Sequence, residues 1–308
     1  MRLIKNTKIN FMAKTTLASI FSIILIISGI GSIIIKGGPK LSIDFKGGTL
    51  IALDFNKNIN IEQMRTVLAR TDISGEEFDF SMAEIKHFGK PSSISIRIPN
   101  MENEPEKFSE NFIQFIMKSY PEEIRKEKSE FILAIEKVGP KVGAELSGDA
   151  YMAIISSLIL ILIYVSIRFE WKYAVGAILA LTHDIVATLG LFSLLDYEIS
   201  LAVVAAFLTI VGYSLNDTIV IFDRIRENRK NFKNMSIYDI VNKSINESLS
   251  RTVVTSLTTF FVVLVLFLFG GEVIHTFSFA MIIGVIIGTY SSIFIASNAV
   301  VKMSTAKI

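Results

Sequence analysis

Cysteine is absent from the 308-residue sequence, and charged residues are scarce, at 19%. The lack of cysteine excludes disulfide bonds, a thiol nucleophile and a thiolate metal site, and it leaves the compartment undetermined. The formal net charge of +2 indicates neither a nucleic-acid nor an acidic partner. Because 51% of the residues are hydrophobic and the mean hydropathy is +0.52, the composition predicts a polytopic membrane protein and not an ordinary soluble enzyme.

Long apolar runs are the main feature of the sequence. A bilayer core ~30 Å thick requires ~20 apolar residues in a helix. Six segments approach that length, at residues 15–35, 150–167, 173–195, 199–222, 253–270 and 273–301. The first follows a basic tail, as a signal peptide does, but its apolar run exceeds the usual core of about 7–15 residues and no A-x-A site follows. We therefore expect an uncleaved anchor and six membrane spans, with both termini on the same side.

The distribution of lysine and arginine predicts the orientation, because short cytoplasmic connections carry an excess of both. Basic residues precede the first span and fill the second-to-third and fourth-to-fifth connections: Arg2, Lys5, Lys8, Lys14, Arg168, Lys172, Arg224, Arg226, Arg229, Lys230, Lys233, Lys243 and Arg251. The opposite turns, 196–198 and 271–272, contain none. The sequence thus predicts cytoplasmic termini, a cytoplasmic loop at 223–250 and an extracytoplasmic segment at 37–148.

The hydrophilic segment 37–148 predicts a ferredoxin-like α+β domain. Strands are expected at 49–55, 78–88, 93–98 and 131–138, and helices at 61–70 and 106–120, which gives the order βαββαβ. The segment has no His, Asp or Glu cluster with metal-ligand spacing, so we expect a binding or moving part without metal or cofactor. In the string SIDFKGGTL, Asp44, Gly47 and Gly48 either mark a site or form a tight turn joining two strands, and we favour the turn.

Asp217 lies near the end of the fourth apolar segment, in VGYSLNDTIVIFDRIREN at residues 211–228. A charged side chain in a membrane helix costs ~2.5–3.5 kcal/mol on insertion scales, so such acids normally face a partner, water or an ion path. Helical spacing puts polar residues on one face of each of two neighbouring spans: Thr209, Tyr213, Asn216 and Asp217 on the fourth, and Arg251, Thr255, Thr258 and Thr259 on the fifth. Arg251 enters its span at a similar depth and is a candidate partner that would hold the acid ionised. The alternative is that Asp217 snorkels to the interface.

Other polar and small residues lie in or beside the spans. His183 and Asp184 are ~100° apart on the third, so they cannot both face one partner, and each is either part of a proton path or a packed hydrogen-bonding residue. The sixth carries the small-residue repeat Ala280, Gly284, Gly288 and Ser292, for which we favour packing within the chain. Apolar residues between 237 and 249 predict a short helix on the inner membrane surface.

Five motifs, taken together, resemble the SecF family of the resistance-nodulation-division superfamily. They are SIDFKGGTL, VGPKVGAEL, HDIVATLG, VGYSLNDTIVIFDRIREN and SLSRTVVTS. The resemblance implies a non-enzymatic, six-helix half of a pseudo-symmetric transporter in the bacterial cytoplasmic membrane, completed by SecD. It also implies that the proton motive force moves external domains that pull or hold preproteins emerging from SecYEG, with YajC as a further partner. The family's membrane acid and its arginine fall on Asp217 and Arg251. From their positions in the spans, His183, Asp184, Tyr213 and Asn216 are candidates for either a proton path or polar support.

Other functions remain open at this stage. A passive scaffold of the translocon is compatible with six packed helices and one modest external domain. A small-molecule exporter of the same superfamily would normally have twelve spans and two large external loops in one chain, whereas this sequence has half of each. An ATP-driven permease would need a P-loop, and none occurs here, although a partner could supply one.

Overall fold

The computed structural model describes residues 7–73, 76–81, 83–101, 104–124 and 128–305. Arg2 and Lys5, which belong to the predicted basic tail, lie outside the described residues. The chain forms two compact units, a helical unit of Met1–Lys40 with Ala150–Ile308, and a sheet unit of Leu41–Asp149.

Helices make up most of the helical unit, and shorter ones accompany the sheet. In chain order they are α1 (Thr15–Ile35), α2 (Ile43–Lys46), α3 (Ile61–Leu68), α4 (Phe108–Ser119), α5 (Lys128–Phe131), α6 (Pro140–Arg168), α7 (Trp171–Leu194), α8 (Leu201–Asn231), α9 (Ile237–Phe269), α10 (Glu272–Ser291) and α11 (Ser297–Thr305). A 3₁₀ turn, Met12–Lys14, precedes α1, and a π-helical turn, Ser292–Ala296, joins α10 to α11.

The prediction of six membrane spans is confirmed. In the part of the chain that the structure describes, six helical segments are long and apolar enough to cross a membrane. The first coincides with the predicted bounds, 15–35. The most apolar stretches of α7 and α8 are 56% and 50% buried, whereas those of α6 and α9 are 6% and 11% buried. α7 and α8 are therefore central, and α6 and α9 present apolar surface outward.

Helices extend beyond the predicted membrane spans in two places. α6 begins ten residues before the predicted span, and the predicted loop 223–250 is mostly helical, because α8 continues to Asn231 and α9 starts at Ile237. The short surface helix expected at 237–249 is thus the first part of α9. Hydropathy locates the apolar core of a helix but not its ends, and pairs such as Arg224–Glu227 and Lys243–Glu247 extend the helix beyond that core.

Small residues allow the central helices to approach closely. A Cβ added at Gly29 in α1 would lie 2.5 Å from the Cα of Gly190 in α7. In α10, Gly284 faces Ile210 and Gly288 faces Ser214, both on α8. The small-residue repeat of the sixth span therefore packs within the chain, as favoured from the sequence.

The sheet unit has the predicted ferredoxin-like topology. Its strands are β1 (Gly48–Asp54), β2 (Thr71–Ile73), β3 (Glu76–Phe78), β4 (Glu84–Phe88), β5 (Lys90–Ile98) and β6 (Ile132–Val138). Four of them form an antiparallel sheet in the order β4-β5-β1-β6. Ile94, Ile96 and Ile98 are buried in one cluster with residues of α3 and α4, as their alternation with polar residues predicts.

The strand predicted over 78–88 is interrupted. β3 pairs with β2 in a separate hairpin, and a turn follows in which the N–H of Ser81 donates to Asp79 Oδ1 at 2.8 Å. Hydrogen bonds from Ser81 hold the pKa of Asp79 below its usual range. Phe80 is buried against Phe112, and the next buried residues among those described are Ala83 and Ile85, so the alternation that a continuous strand requires breaks between Phe80 and Ala83.

Candidate functional site

Asp217 is a buried carboxylate at the meeting point of α8, α9 and α10. Only 2% of its surface is exposed, so it does not snorkel to the interface. Its Oδ2 accepts one hydrogen bond, from Ser256 Oγ on α9, at 3.4 Å. Ser256 also shares a 2.7 Å hydrogen bond with Thr289 Oγ1 on α10. A bond of 3.4 Å is long for a hydroxyl donor, so the carboxylate is weakly held.

Arg251 does not contact Asp217 directly. No ion pair joins the two residues in the described structure, although the arginine charge still acts on the carboxylate at longer range. Arg251 lies five residues before Ser256 on α9, which is about 7.5 Å along the helix axis. The expected pairing is therefore absent in this conformation, and Ser256 takes the position next to the acid.

An open cavity of about 730 Å³ lies between α8 and α9. Asn216 and Arg251 line it together, with Val220, Thr255 and Thr258. The polar residues predicted to share one face of α8 are thus divided, because Asn216 is exposed at the cavity and Asp217 is buried beside Ser256.

Three hydroxyl groups on α8 and α9 are buried without a hydrogen-bond partner in the described structure. The Tyr213 hydroxyl lies near Ser256 and Thr289, and Thr218 and Thr252 lie on the two helices that carry Asp217 and its partner. Among the residues that the structure describes, none of the three hydroxyl oxygens has a hydrogen-bond partner. Such groups are rare in folded proteins and call for an explanation.

His183 and Asp184 form a second buried polar cluster. His183 Nδ1 lies 3.0 Å from Asp184 Oδ1, so these neighbours contact each other. As their angular separation predicts, their other partners differ: His183 Nε2 faces Ser22 Oγ on α1 at 2.9 Å, whereas Asp184 Oδ2 accepts from Ser214 on α8 at 2.6 Å and from Ser291 on α10 at 2.8 Å. The cluster links α1, α7, α8 and α10.

Comparison with known proteins identifies the family. Residues 118–306 match the family model described as "Protein export membrane protein SecD/SecF, C-terminal". The protein translocase subunit SecF of Calditerrivibrio nitroreducens is 46% identical over 97% of this chain and 96% of its own length. The subunit of the same name from Vibrio alginolyticus is 44% identical over 97% and 91%. The chain belongs to the SecF family.

Solved structures of SecDF have the same fold as this SecF-family chain. The crystal structure of SecDF from Thermus thermophilus, described as a translocon-associated membrane protein, superposes with a TM-score of 0.83 at 36% identity. A structure of SecDF in a super-membrane-facing form superposes with a TM-score of 0.69. In both cases the match covers 99% of this chain and 40% of the SecDF chain, so this chain spans about two fifths of SecDF.

Several site residues of this SecF-family chain could not be found from the sequence. Ser256, Ser214, Ser291 and Ser22 contact the two acids or His183. Each is a serine within an apolar helix, and a serine in another span, Ser157 on α6, bonds only to the nearby Ile154 carbonyl among the described residues. The available indication was position alone, since Ser214 lies three residues before Asp217, on the same side of α8.

The SIDFKGGTL segment has a local structural role in the sheet unit. It joins the short helix α2 to β1, not two strands as favoured from the sequence. Ser42 Oγ accepts the N–H of Asp44 at 3.2 Å and starts α2. Gly47 and Gly48 have φ values of 73° and 129°, and a Cβ on Gly48 would lie 2.6 Å from the carbonyl oxygen of Ile98. The two glycines are needed for backbone conformation and close approach.

Proposed function

We propose that this chain works with a SecD protein as a proton-driven subunit of the Sec export machinery, and that Asp217 is its proton-binding group. The SecF relatives are named protein translocase subunits, and the remaining three fifths of the solved SecDF chain supports SecD as the missing half. The observation that carries the proposal is the poor solvation of Asp217, a buried acid with one long hydrogen bond and a nearby arginine that does not pair with it.

The proton coupling has two states. Ionised Asp217 is stabilised by Ser256 and by the charge of Arg251, and protonation removes that attraction and turns the carboxyl into a donor. The hydroxyls of Tyr213 and Thr252, which lack partners here, supply new hydrogen bonds when α8 and α9 repack. A proton that crosses ~100 mV yields ~2.3 kcal/mol, enough to bias a two-state element more than tenfold.

α9 connects the site to α1. Near its start, Asn242 Oδ1 accepts the N–H groups of Phe11 and Met12 at 2.8 and 3.2 Å, and Asn246 Nδ2 donates to the Ile9 carbonyl at 2.8 Å. These bonds satisfy backbone groups in the turn that precedes α1. The first N–H groups of a helix have no partner within the helix, so side chains from elsewhere must supply one. Displacement of α9 relative to α8 therefore pulls on the start of α1, which continues in sequence into the sheet unit.

The His183–Asp184 cluster supports this machinery and is not a proton path in our proposal. Asp184 accepts three hydrogen bonds, so its charge is well satisfied. Its bond from Ser214 fixes the turn of α8 that precedes Asp217. We assign His183 and Asp184 to polar support, Tyr213 to the titrating site, and Asn216 to the cavity that Arg251 also lines.

The cellular setting follows from the same proposal. The chain is a multi-pass protein of the bacterial inner membrane, with cytoplasmic termini and the 37–148 segment on the opposite side. The distribution of Lys and Arg supports this orientation. Its further partners are the SecYEG channel, YajC, membrane lipids and preproteins in transit.

Replacement of Asp217 by Asn tests the function. We expect proteoliposomes with SecYEG, SecD and the Asp217→Asn chain to lose the stimulation of preprotein translocation by a proton gradient, because the amide does not titrate. Co-purification with SecD should be unchanged. Asp223→Asn is the matched control, since it makes the same chemical change on the same helix at an exposed residue paired with Arg168.

Each result of this experiment has a distinct meaning. Full gradient-dependent stimulation by Asp217→Asn would contradict the proposal. If the unaltered complex stimulates translocation equally with and without the proton gradient, the chain is a passive scaffold. Loss in Asp217→Asn with retention in Asp223→Asn supports proton coupling through Asp217.

A further inference from the structure

Two arginines line the cavity between α8 and α9, and they differ in their ion pairs. Arg224 pairs with Glu227 at 3.0 Å and with Glu247 at 3.7 Å. Arg251 forms no ion pair within the described part of the chain, although it faces the same cavity. An arginine that lines a polar cavity without an acidic partner is free to be attracted to whichever acid carries charge.

Glu247 is the acid best placed to attract Arg251. It precedes Arg251 by four residues on α9, about 6 Å along the axis, in the favourable order of acid before base. Both residues line the cavity. The Glu247 side chain is 34% exposed, so it is reachable from the cavity without any helix movement.

The position of Glu247 is fixed by other groups. Its Oε2 accepts from Asn228 Nδ2 at 2.7 Å, and its Oε1 lies 3.0 Å from Lys243 Nζ. Asn228 is 3% exposed and also donates to Ser244 Oγ at 3.0 Å. This bond links α8 to α9 at a point further along α8 than Asp217. Glu247 is thus a pre-positioned carboxylate that does not require Arg251 for its orientation.

The other two acids that line the cavity, Asp223 and Glu227, lie on α8 and pair with arginines other than Arg251. Asp223 contacts Arg168 at 3.1 Å and Arg226 at 3.6 Å, and Glu227 contacts Arg224. Among the described acids that line the cavity, only Glu247 lies on the same helix as Arg251. The spacing of four residues brings their side chains to the same face of α9.

We propose that Glu247 is a positioning residue for proton coupling, which receives the Arg251 guanidinium when Asp217 becomes protonated. This inference rests on the proposed function of Asp217. Loss of the Asp217 charge leaves Arg251 attracted mainly by Glu247, one helical turn away, and the side chain moves there. When the proton leaves, the guanidinium returns toward Asp217. Arg251 thus alternates between Glu247, four residues before it on α9, and Asp217 on α8.

Glu247→Gln separates this role from a structural one. The glutamine carbonyl still accepts from Asn228, but it attracts Arg251 less, so the arginine stays near Asp217 and favours the ionised acid. A lower pH is then needed for proton uptake. In proteoliposomes with SecD and SecYEG, the pH midpoint of gradient-dependent stimulation should fall by about one unit, with maximal stimulation retained.

Asp223→Asn is the matched control, because it removes a carboxylate charge from the same cavity while its partners, Arg168 and Arg226, are not the cations that pair with Glu247. We expect it to leave the midpoint nearly unchanged. An unmoved midpoint in Glu247→Gln, or equal shifts in both variants, would overturn the inference. If Asp217→Asn retains stimulation, the proposed function itself fails, and that result is distinguishable from either outcome here.

A second variant should shift the pH midpoint in the opposite direction. It also tests the inference if Glu247→Gln does not assemble with SecD. Lys243→Gln releases Glu247 from its lysine, so Glu247 attracts Arg251 more strongly and Asp217 takes up a proton more readily. The pH midpoint should rise. A fall or no change in Lys243→Gln contradicts the role of Glu247.

Discussion

Asp217 and Asp184 are buried in the same helical unit in two different ways. Asp184 has three hydrogen-bond partners from a histidine and two serines, so its carboxylate is solvated by the protein. Asp217 has one long bond, and hydroxyls nearby have no partner. A fully satisfied hydrogen-bond network makes a protein core rigid, whereas an incomplete one costs free energy. Asp184 is therefore suited to holding helices in place, and Asp217 is suited to changing its protonation state.

Asp196 provides a prediction at the residue scale, in the turn between α7 and α8. A hydrogen bond from Lys40, with a weaker contribution from Lys36, holds the pKa of Asp196 below its usual range. A depressed pKa contributes stability above the ordinary value and loses it as the pH falls through the folded value.

We therefore expect Asp196→Asn to lower the unfolding temperature of the purified protein at pH 7. The effect should be below about 1 kcal/mol, because the pair is exposed, and should decline as the pH falls below about 4. Asn tolerates the positive φ of 61° at this position, so backbone strain does not contribute. A difference that does not shrink as the pH falls below about 4 would contradict the electrostatic origin.

The ionisable site residues were predictable from the sequence, whereas their hydroxyl partners were not. Asp217, Arg251, His183 and Asp184 stand out because charge is rare within apolar spans. Ser256 is 39 residues from Asp217 in sequence, and only the packing of α8 against α9 brings them together. The lack of direct contact between Arg251 and Asp217 was also unpredictable, because helical depth does not determine the rotation of one helix against another.

At the element scale, the contact between α1 and α7 depends on two glycines. A Cβ at Gly29 would overlap the backbone at Gly190, which cannot move away as a flexible side chain would. We expect Gly29→Ala to destabilise the purified protein by about 1–3 kcal/mol, the usual effect of overpacking, as measured by thermal unfolding in detergent.

Gly31→Ala is the control, since nothing lies within 4 Å of a Cβ there. It sits two residues away on the same helix and should be neutral or slightly stabilising, because Ala favours a helix. Equal destabilisation by both substitutions would show that the close approach of α1 and α7 is not the cause.

Element types were predictable, and element boundaries were not. The βαββαβ order follows from alternation and helical periodicity, and the sheet has it. The break within 78–88 was missed because Phe80 and its neighbours read as a continuous strand, while the turn depends on the Asp79–Ser81 bond and on aromatic packing against α4.

At the scale of the whole molecule, the outward apolar faces of α6 and α9 require lipid or a partner. Exposed residues on these helices include Ile155 and Leu160 on α6, and Phe261 and Val262 on α9. Since the chain spans two fifths of SecDF, a SecD protein would cover part of this surface in the proposed complex.

The membrane orientation can be tested directly because the chain contains no cysteine. Single cysteines at Lys57, in the sheet unit, and at Asn234, between α8 and α9, should differ in labelling by a membrane-impermeant thiol reagent applied to spheroplasts. We expect Lys57→Cys to react in intact spheroplasts and Asn234→Cys to react only after the membrane is permeabilised. The reverse pattern would contradict the proposed topology.

The π-helical turn Ser292–Ala296 has a consequence for the register of the last span. The carbonyl oxygen of Ala296 packs against Gly176, where an added Cβ would lie only 3.1 Å from that oxygen. Ser297 Oγ donates to the Ser292 carbonyl at 2.8 Å. A π-helical turn holds one extra residue. If that residue shifted to a position before Thr289, Thr289 and Ser291 would both rotate by about 100°. One register step in this helix would thus change the surroundings of Asp217 and Asp184 at once, with no rigid-body movement of the helix.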